Sequence, residues 1–314
     1  VTTYDDPGFA AAVEPFRGEL TAHCYRMLGS VQDAEDVVQE TYLRAWRARD
    51  QYDEQRASLR TWLYRIATNA GLTALRGRGR RPLPSGLVPE TDPRSPFELG
   101  EVPWLQPIPS ARVPDADPAS LRLAFVAALQ HLSPRQRAVL VLRDVLDFSA
   151  AETADVLDTT VVSVNSALLR ARSAMSRADA DRTREPDEAE RRVWIDRYTA
   201  AFVAADVEAL KRLLAADVVM EMPPMTNWFT GPEKYGVFMD WVYTANGTDW
   251  RTLPVEVNGG RGFAAYVRKD DGRYHRHTLQ VLAFSPTGEG VTRNSVFVEA
   301  DVLDAFGLPS TVAR

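Results

Sequence analysis

The stretch DTTVVSVNSALLRAR, residues 158–172, puts amide and hydroxyl groups at one end of a helical segment and guanidinium groups at the other. Asn165 can form a bidentate pair with adenine, and Thr160, Ser163 and Ser166 can hydrogen-bond several base edges. Arg170 and Arg172 lie further along, where they can reach phosphates. A second set interleaves rings and cations at 49–65: Arg49, Tyr52, Arg56, Arg60, Trp62, Tyr64 and Arg65. Single-stranded nucleic acid needs such surfaces, with bases stacked on rings and the backbone held by arginine. The spacing assigns Trp62 to the core and leaves Tyr52 and Arg56 in a loop, better placed for contact. A third set, Asp33, Glu35, Asp36, Gln39 and Glu40 ahead of Arg44 and Arg47, is by itself an ordinary exposed helix face. The fourth is His275 and His277 in RYHRHTLQVLAF, which strand alternation puts on the face of Leu279, Val281 and Ala283. Two histidines are too few for a metal site, and no Cys or nearby His adds a third ligand, so no metal or other cofactor is assigned.

These side chains need elements to hold them. Residues 9–76 read as helices almost throughout. Phe16, Leu20, Cys24 and Leu28 fall at helical spacing before Gly29, a C-cap. Ala34, Val37, Val38, Thr41, Tyr42 and Ala45 make one stripe, with carboxylates gathered toward the helix N-terminus, where the dipole favours them. RDQYDEQRAS reads as a loop, and helix 59–76 follows with Trp62, Ile66, Asn69 and Ala70 in register. Ten of the chain's 20 prolines then crowd into 82–118, which reads as an extended linker. Its Phe97, Leu99, Trp104, Leu105 and Ile108 imply docking on some surface. Helices resume over 119–180, where Ser133 with Gln136 and Ser149 with Glu152 spell two capping boxes. Two short helices across the turn DTT make a helix-turn-helix. After a polar hinge at 179–191 come helices 188–204 and 206–215, the strand DVVMEMPP and helix GPEKYGVFMDWVYT. Strands 250–257, 263–268, 273–284 and 290–298 complete a bent sheet, with turns at KDDG (269–272) and SPTG (285–288). Helix 188–204 is expected to turn Val193, Tyr198, Ala201 and Phe202 inward.

The bulk composition limits the function. A chain of 314 residues, 45% hydrophobic and 25% charged, holds two or three soluble domains and no run long enough to cross a membrane. The opening VTTYDDPGFAAAVEPF is not that of a secretory signal. A single cysteine, Cys24, reads as a small core residue; it excludes an intrachain disulfide and fits a reducing cytoplasm. The net charge of −6 argues against tight DNA binding by the chain alone, because phosphate neutralisation supplies most such affinity. A partner must supply what the charge withholds.

DAEDVVQETYLRAW, then LRTWLYRIATNAGLTALRGRGRR, then LSPRQRAVLVLRDVLDFSAAETADVLDTTVVSVNSALLRAR together resemble an extracytoplasmic-function sigma factor of the sigma-70 family. The resemblance implies sigma region 2 at 8–81, the proline-rich linker at 82–118 and sigma region 4 at 119–180. Core RNA polymerase and promoter DNA are then the partners. It puts Asp33, Glu35, Asp36, Gln39, Glu40 and Arg44 against the clamp of the polymerase. Tyr52, Arg56, Arg60, Arg65 and Asn69 fall where the minus-ten element is captured and melted. Helix 161–172 falls where the minus-35 element is read, by Thr160, Ser163, Asn165, Ser166, Arg170 and Arg172. The sequence departs from the family at Asn165 and Ala167, where a lysine and an arginine are common. The linker's excess of Glu90, Asp92, Glu98, Glu101, Asp115 and Asp117 over Arg94 and Arg112 suits a channel built for RNA.

Residues 187–314 resemble the SnoaL-like branch of the nuclear-transport-factor-like fold, an α+β cone with an internal pocket. The expected fold class is therefore multidomain: two all-α sigma domains, the second a helix-turn-helix, and a cone-shaped SnoaL-like domain. Met222, Trp228, Trp241, His275 and His277 are expected at the pocket, and a small-molecule ligand or an anti-sigma factor are the further partners. A non-enzymatic sigma factor with a regulatory tail is the preferred reading. Its rivals are a bifunctional protein whose cone binds or converts a metabolite, and a DNA-binding regulator independent of polymerase.

Overall fold

The computed structural model describes residues 7–77, 79–178, 186–285 and 288–313. Most of the hinge at 179–191, and Pro286 and Thr287 of the SPTG turn, lie outside them. The chain forms two compact units. One joins the N-terminal helices to the segment from Ala111 to the end of the helix-turn-helix; the other joins residues 82–110 to the C-terminal domain.

The first unit is all helix: α1 (Pro7–Val13), α2 (Arg17–Leu28), α3 (Val31–Arg47), α4 (Leu59–Ala74), α5 (Pro118–Leu121), α6 (Leu123–Leu129), α7 (Pro134–Leu140), α8 (Ala150–Val156) and α9 (Val161–Ala178). Gly29 ends α2 at φ +70°, its N–H donating to the Tyr25 carbonyl, a left-handed cap that favours glycine. Ser30 caps α3, whose buried stripe is the predicted one plus Val31. On α4 the stripe is rotated from expectation. Leu63, Tyr64, Ala67, Thr68, Ala70 and Gly71 are buried, while Trp62 is only half-buried and packs on Tyr52 at 5.1 Å between ring centroids. Trp62 is therefore not a core residue. Both capping boxes form, at the starts of α7 and α8. The helical stretch that opens the 119–180 region breaks at Arg122 into α5 and α6, and α7 runs into a wider π-helical turn, Val141–Val145.

Two buried arginines tie the halves of this unit together. Arg26 of α2 donates to the Ser120 hydroxyl at 2.6 Å, and Arg137 of α7 donates to the Met27 carbonyl and to Gln130. Burial pulls both guanidinium groups down to about 10, so they stay charged at neutral pH. Tyr64 packs edge-on against Phe148, and Arg60 lies over both rings. Cys24 is a buried core residue, its thiol pushed up to about 12 by burial.

The second unit is α+β. Helices α10 (Glu188–Val203), α11 (Val207–Arg212) and α12 (Pro232–Asn246) pack on a sheet of β1 (Leu214–Glu221), β2 (Trp228–Thr230), β3 (Trp250–Val257), β4 (Gly260–Arg268), β5 (Tyr274–Phe284) and β6 (Val291–Phe297). The chain continues through α13 (Ala300–Ala305) to β7 (Thr311–Val312). The strand order is β2-β1-β6-β5-β4-β3, with β7 on β5; β1 and β6 run parallel and the other pairs antiparallel. The region expected as helix 206–215 ends at Arg212 and turns into β1. On α10 the buried residues are Ile195, Tyr198, Ala201 and Phe202, while Val193 faces outward.

Residues 82–110 are not a free tether. Trp104, Leu105, Ile108 and Leu83 are buried. The backbone bonds to the domain along its length. Thr91 N–H donates to the Trp228 carbonyl at 2.9 Å, Gly100 N–H to the Pro224 carbonyl at 2.9 Å, and Asn258 N–H to the Ile108 carbonyl at 2.9 Å. Asn227 brackets the segment, accepting from Glu98 N–H and donating to the Pro96 carbonyl. Glu90 accepts from Lys234 and Thr230, and the hydrogen bond from Lys234, with those from Thr230, lowers the pKa of this exposed carboxylate. Proline thins the backbone donors in this stretch, and five of those that remain, on Ser85, Thr91, Glu98, Gly100 and Ile108, are met by the domain.

Candidate functional site

The turn Leu157–Thr160 brings α8 to α9, with Asp158 in the left-handed region at φ +48°. Thr160 caps α9, its hydroxyl accepting from Ser163 N–H at 3.2 Å, so part of its bonding capacity serves the helix itself. Val164, Leu168 and Ala171 face the core. The opposite face is exposed and carries Ser163, Asn165, Ser166 and Arg170, with Val162 and Leu169 75% and 71% exposed among them. The α9 face thus offers amide, hydroxyl and methyl groups at its start and a cation near its middle. Arg172 is also exposed but is engaged. It donates twice to Asp144, at 2.7 and 2.9 Å, which raises its pKa.

The second set divides in a similar way. Arg56 and Arg65 are exposed and Tyr52 stacks on Trp62. Arg60 is only half-exposed; it binds the Glu19 carboxylate at 2.9 Å beside the Tyr64 ring. Asn69 donates to the Arg65 carbonyl and to the Val156 carbonyl of α8, so it joins α4 to the helix-turn-helix. Among the acidic residues of α3, Asp36 and Gln39 are exposed and Glu40 pairs with Arg44 at 2.7 Å. Asp33 is held by Arg81 at 2.7 Å and Glu35 by Arg112 at 3.1 Å, cations that flank the 82–110 segment in sequence.

The C-terminal unit holds a cavity of about 300 Å³. Met222, Trp241 and His277 line it as expected, with Met220 and Phe238; Trp228 and His275 do not. The reason is a β-bulge. Tyr266 faces Arg276 and Ala265 faces Thr278, so His277 is the extra residue on β5. Simple alternation fails there: Thr278 and Gln280 reach the cavity with His277, while His275 turns to Asp271 at 2.8 Å. Trp228 instead donates its indole N–H to the Val88 carbonyl. Burial holds His277 neutral, its pKa down to about 4, and its ring stands edge-on to Trp250 at 5.1 Å. A buried polar network closes the floor. Asn294 Nδ2 is 2.8 Å from the Tyr235 hydroxyl and 2.9 Å from Gln280 Oε1, and the Tyr198 and Tyr235 hydroxyls bond to each other. Sequence reasoning missed this network and also Phe97, which reaches the cavity from outside the cone. Only the apolar content of the proline-rich stretch hinted at Phe97.

Two helical modules in order, an exposed polar recognition face and an appended cone define a class. Three family descriptions match: sigma-70 region 2 over residues 12–81, sigma-70 region 4 over 122–175, and the SnoaL-like domain over 195–299. The chain belongs to the extracytoplasmic-function sigma factors that carry a SnoaL-like domain. It is 46% identical to the ECF RNA polymerase sigma factor SigG of Mycobacterium tuberculosis, across 97% of this chain and 85% of that protein. It is 34% identical to SigJ of the same organism, across 65% of this chain and 62% of that protein. The crystal structure of SigJ superposes with a TM-score of 0.67 at 25% identity, covering 96% of this chain and all of the other.

Proposed function

We infer that the chain directs core RNA polymerase to a restricted set of promoters, with region 2 taking the minus-ten element and α9 the minus-35 element. The observation that carries this reading is the 46% identity to SigG over almost the whole chain, joined to a helix-turn-helix whose outer face is free of core duties. Asp36, Gln39 and Arg44 are the exposed part of the polymerase-binding set; Asp33 and Glu35 join it when Arg81 and Arg112 let go. The negative net charge fits a protein whose DNA affinity is borrowed from the polymerase. A cytoplasmic location follows from that partnership. Among the described residues no helix is long and apolar enough to cross a membrane.

The C-terminal unit regulates by binding, not by turnover. Its cavity is lined by no Asp, Glu, Lys or Arg, and its one histidine is kept neutral by burial. The segment it holds, 82–110, is the one that must stretch between the promoter elements. Elements about 20 base pairs apart lie ~70 Å apart at ~3.4 Å per pair. Residues 82–118, fully extended at ~3.1 Å each, reach ~115 Å, but only once released. Holding the segment therefore disfavours the promoter-spanning state. Gel filtration with purified bacterial core polymerase tests the reading: co-elution at low salt is expected, and separate elution overturns it.

A further inference from the structure

Phe97 is the one cavity-lining residue contributed by the proline-rich segment. It is 43% exposed and stands edge-on to Phe238 at 6.4 Å and to Trp241 at 5.2 Å; Trp241 is itself 49% exposed. These two rings mark the cavity's mouth, and Phe97 forms one wall of it. The volume of about 300 Å³ remains with Phe97 in place and sits at the low end of small-molecule sites. Of the chain's six methionines, four line this space, and methionine adapts its shape to flat ring systems. The lining has no charged side chain, so an ionic guest would lose its hydration without a counter-charge. The polar groups of the floor are mostly engaged with one another. His277 differs. Its ring makes an edge contact with Trp250 and, among the described residues, no hydrogen bond, so a neutral imidazole offers one donor and one acceptor to the cavity.

We propose that this cavity binds an uncharged, planar, largely apolar molecule with one hydroxyl or carbonyl end held by His277, and that the bound molecule locks residues 82–110 onto the cone through Phe97. The locking has a thermodynamic cause. A guest touches Phe97 only while the segment is docked, so it favours the docked state by that difference in contacts. This deepens the regulatory reading above and rests on it for its consequence, but binding and locking are measured without polymerase.

The probe is 2-naphthol, with naphthalene as its hydroxyl-free twin, titrated into the full chain by fluorescence. Saturable binding of 2-naphthol is expected, tighter than naphthalene by about fivefold, the worth of one hydrogen bond. His277→Leu should remove that preference while keeping naphthalene binding, which separates anchoring from folding. Phe97→Ala should weaken both probes. Hydrogen exchange then reads the locking. The amides of Thr91, Glu98 and Gly100, each bonded to the cone, should exchange several-fold more slowly with 2-naphthol bound, and this slowing should vanish in Phe97→Ala. No saturable binding, an unchanged preference in His277→Leu, or equal or faster exchange of those amides would overturn the proposal. A chain that passes these tests yet ignores polymerase would sink the regulatory reading and leave the site standing.

Discussion

At the scale of the residue, the division of labour on α9 is testable. Asn165 is exposed, uncharged and free of core contacts, and Arg170 stands exposed beyond it. Asn165→Ala should relax choice at one position of the minus-35 element, costing about 1–3 kcal/mol there, as read by binding of the polymerase complex to a set of point-substituted promoters. Arg170→Ala should weaken binding evenly across sequences and reduce the salt slope by about one. Arg172 behaves differently because Asp144 already holds it with two bonds. Asp144→Asn should strengthen non-specific binding by freeing that guanidinium. Weaker binding would show that the pair positions Arg172 instead of restraining it. Polar residues at the start of a helix after a tight turn made this face readable from sequence. The engagement of Arg172, Arg60 and Asn69 was not readable, because their partners lie 28, 41 and 87 positions away.

At the scale of the element, the proline-rich segment is the main departure. Its composition announces extension and says nothing of what the extended chain lies against. Trp104 gives the test. As part of a free tether, its removal would change stability by less than about 0.5 kcal/mol. Buried as it is, Trp104→Ala should cost about 3–5 kcal/mol, read by chemical denaturation of the full chain. The β-bulge at His277 is a second such case: a period of two placed both histidines on one face, and one extra residue separated them. The helical half was far more legible. Its caps and stripes are local, and the stripe on α3 matches the buried residues closely, whereas α4 erred by about one position because Trp62 pairs with Tyr52. Helix α2 also carries a pH response. His23 is fully buried, bonded to Thr68 at 2.9 Å, with its pKa pulled down to about 3 by burial and by Arg26 and Arg60. The unfolded chain takes up this proton near pH 6.5 and the folded chain does not, so stability falls as pH drops below about 6.5. At pH 5 the loss should be about 2 kcal/mol relative to pH 7, and His23→Gln should flatten that stretch of a stability-versus-pH curve.

At the scale of the molecule, the chain joins three family modules; quoted motifs revealed the two sigma regions, and the order of elements with scattered residues revealed the cone. How the modules share the chain was not revealed. Residues 82–110, most of the stretch between the two sigma regions, belong structurally to the cone. A truncation after α9 would therefore strip the cover from Trp104, Leu105 and Ile108, and should yield a poorly soluble chain by sedimentation. Weakening the grip is the cleaner manipulation. Glu90→Lys, which turns the Lys234 pair into a repulsion, should raise promoter-directed transcription without changing which promoters are used. Promoter selection by this chain is read by transcription in vitro from a promoter library with core polymerase, with and without the protein. A restricted set of start sites that needs both components, and that broadens at one minus-35 position in Asn165→Ala, is expected. Start sites no different from core polymerase alone would contradict it.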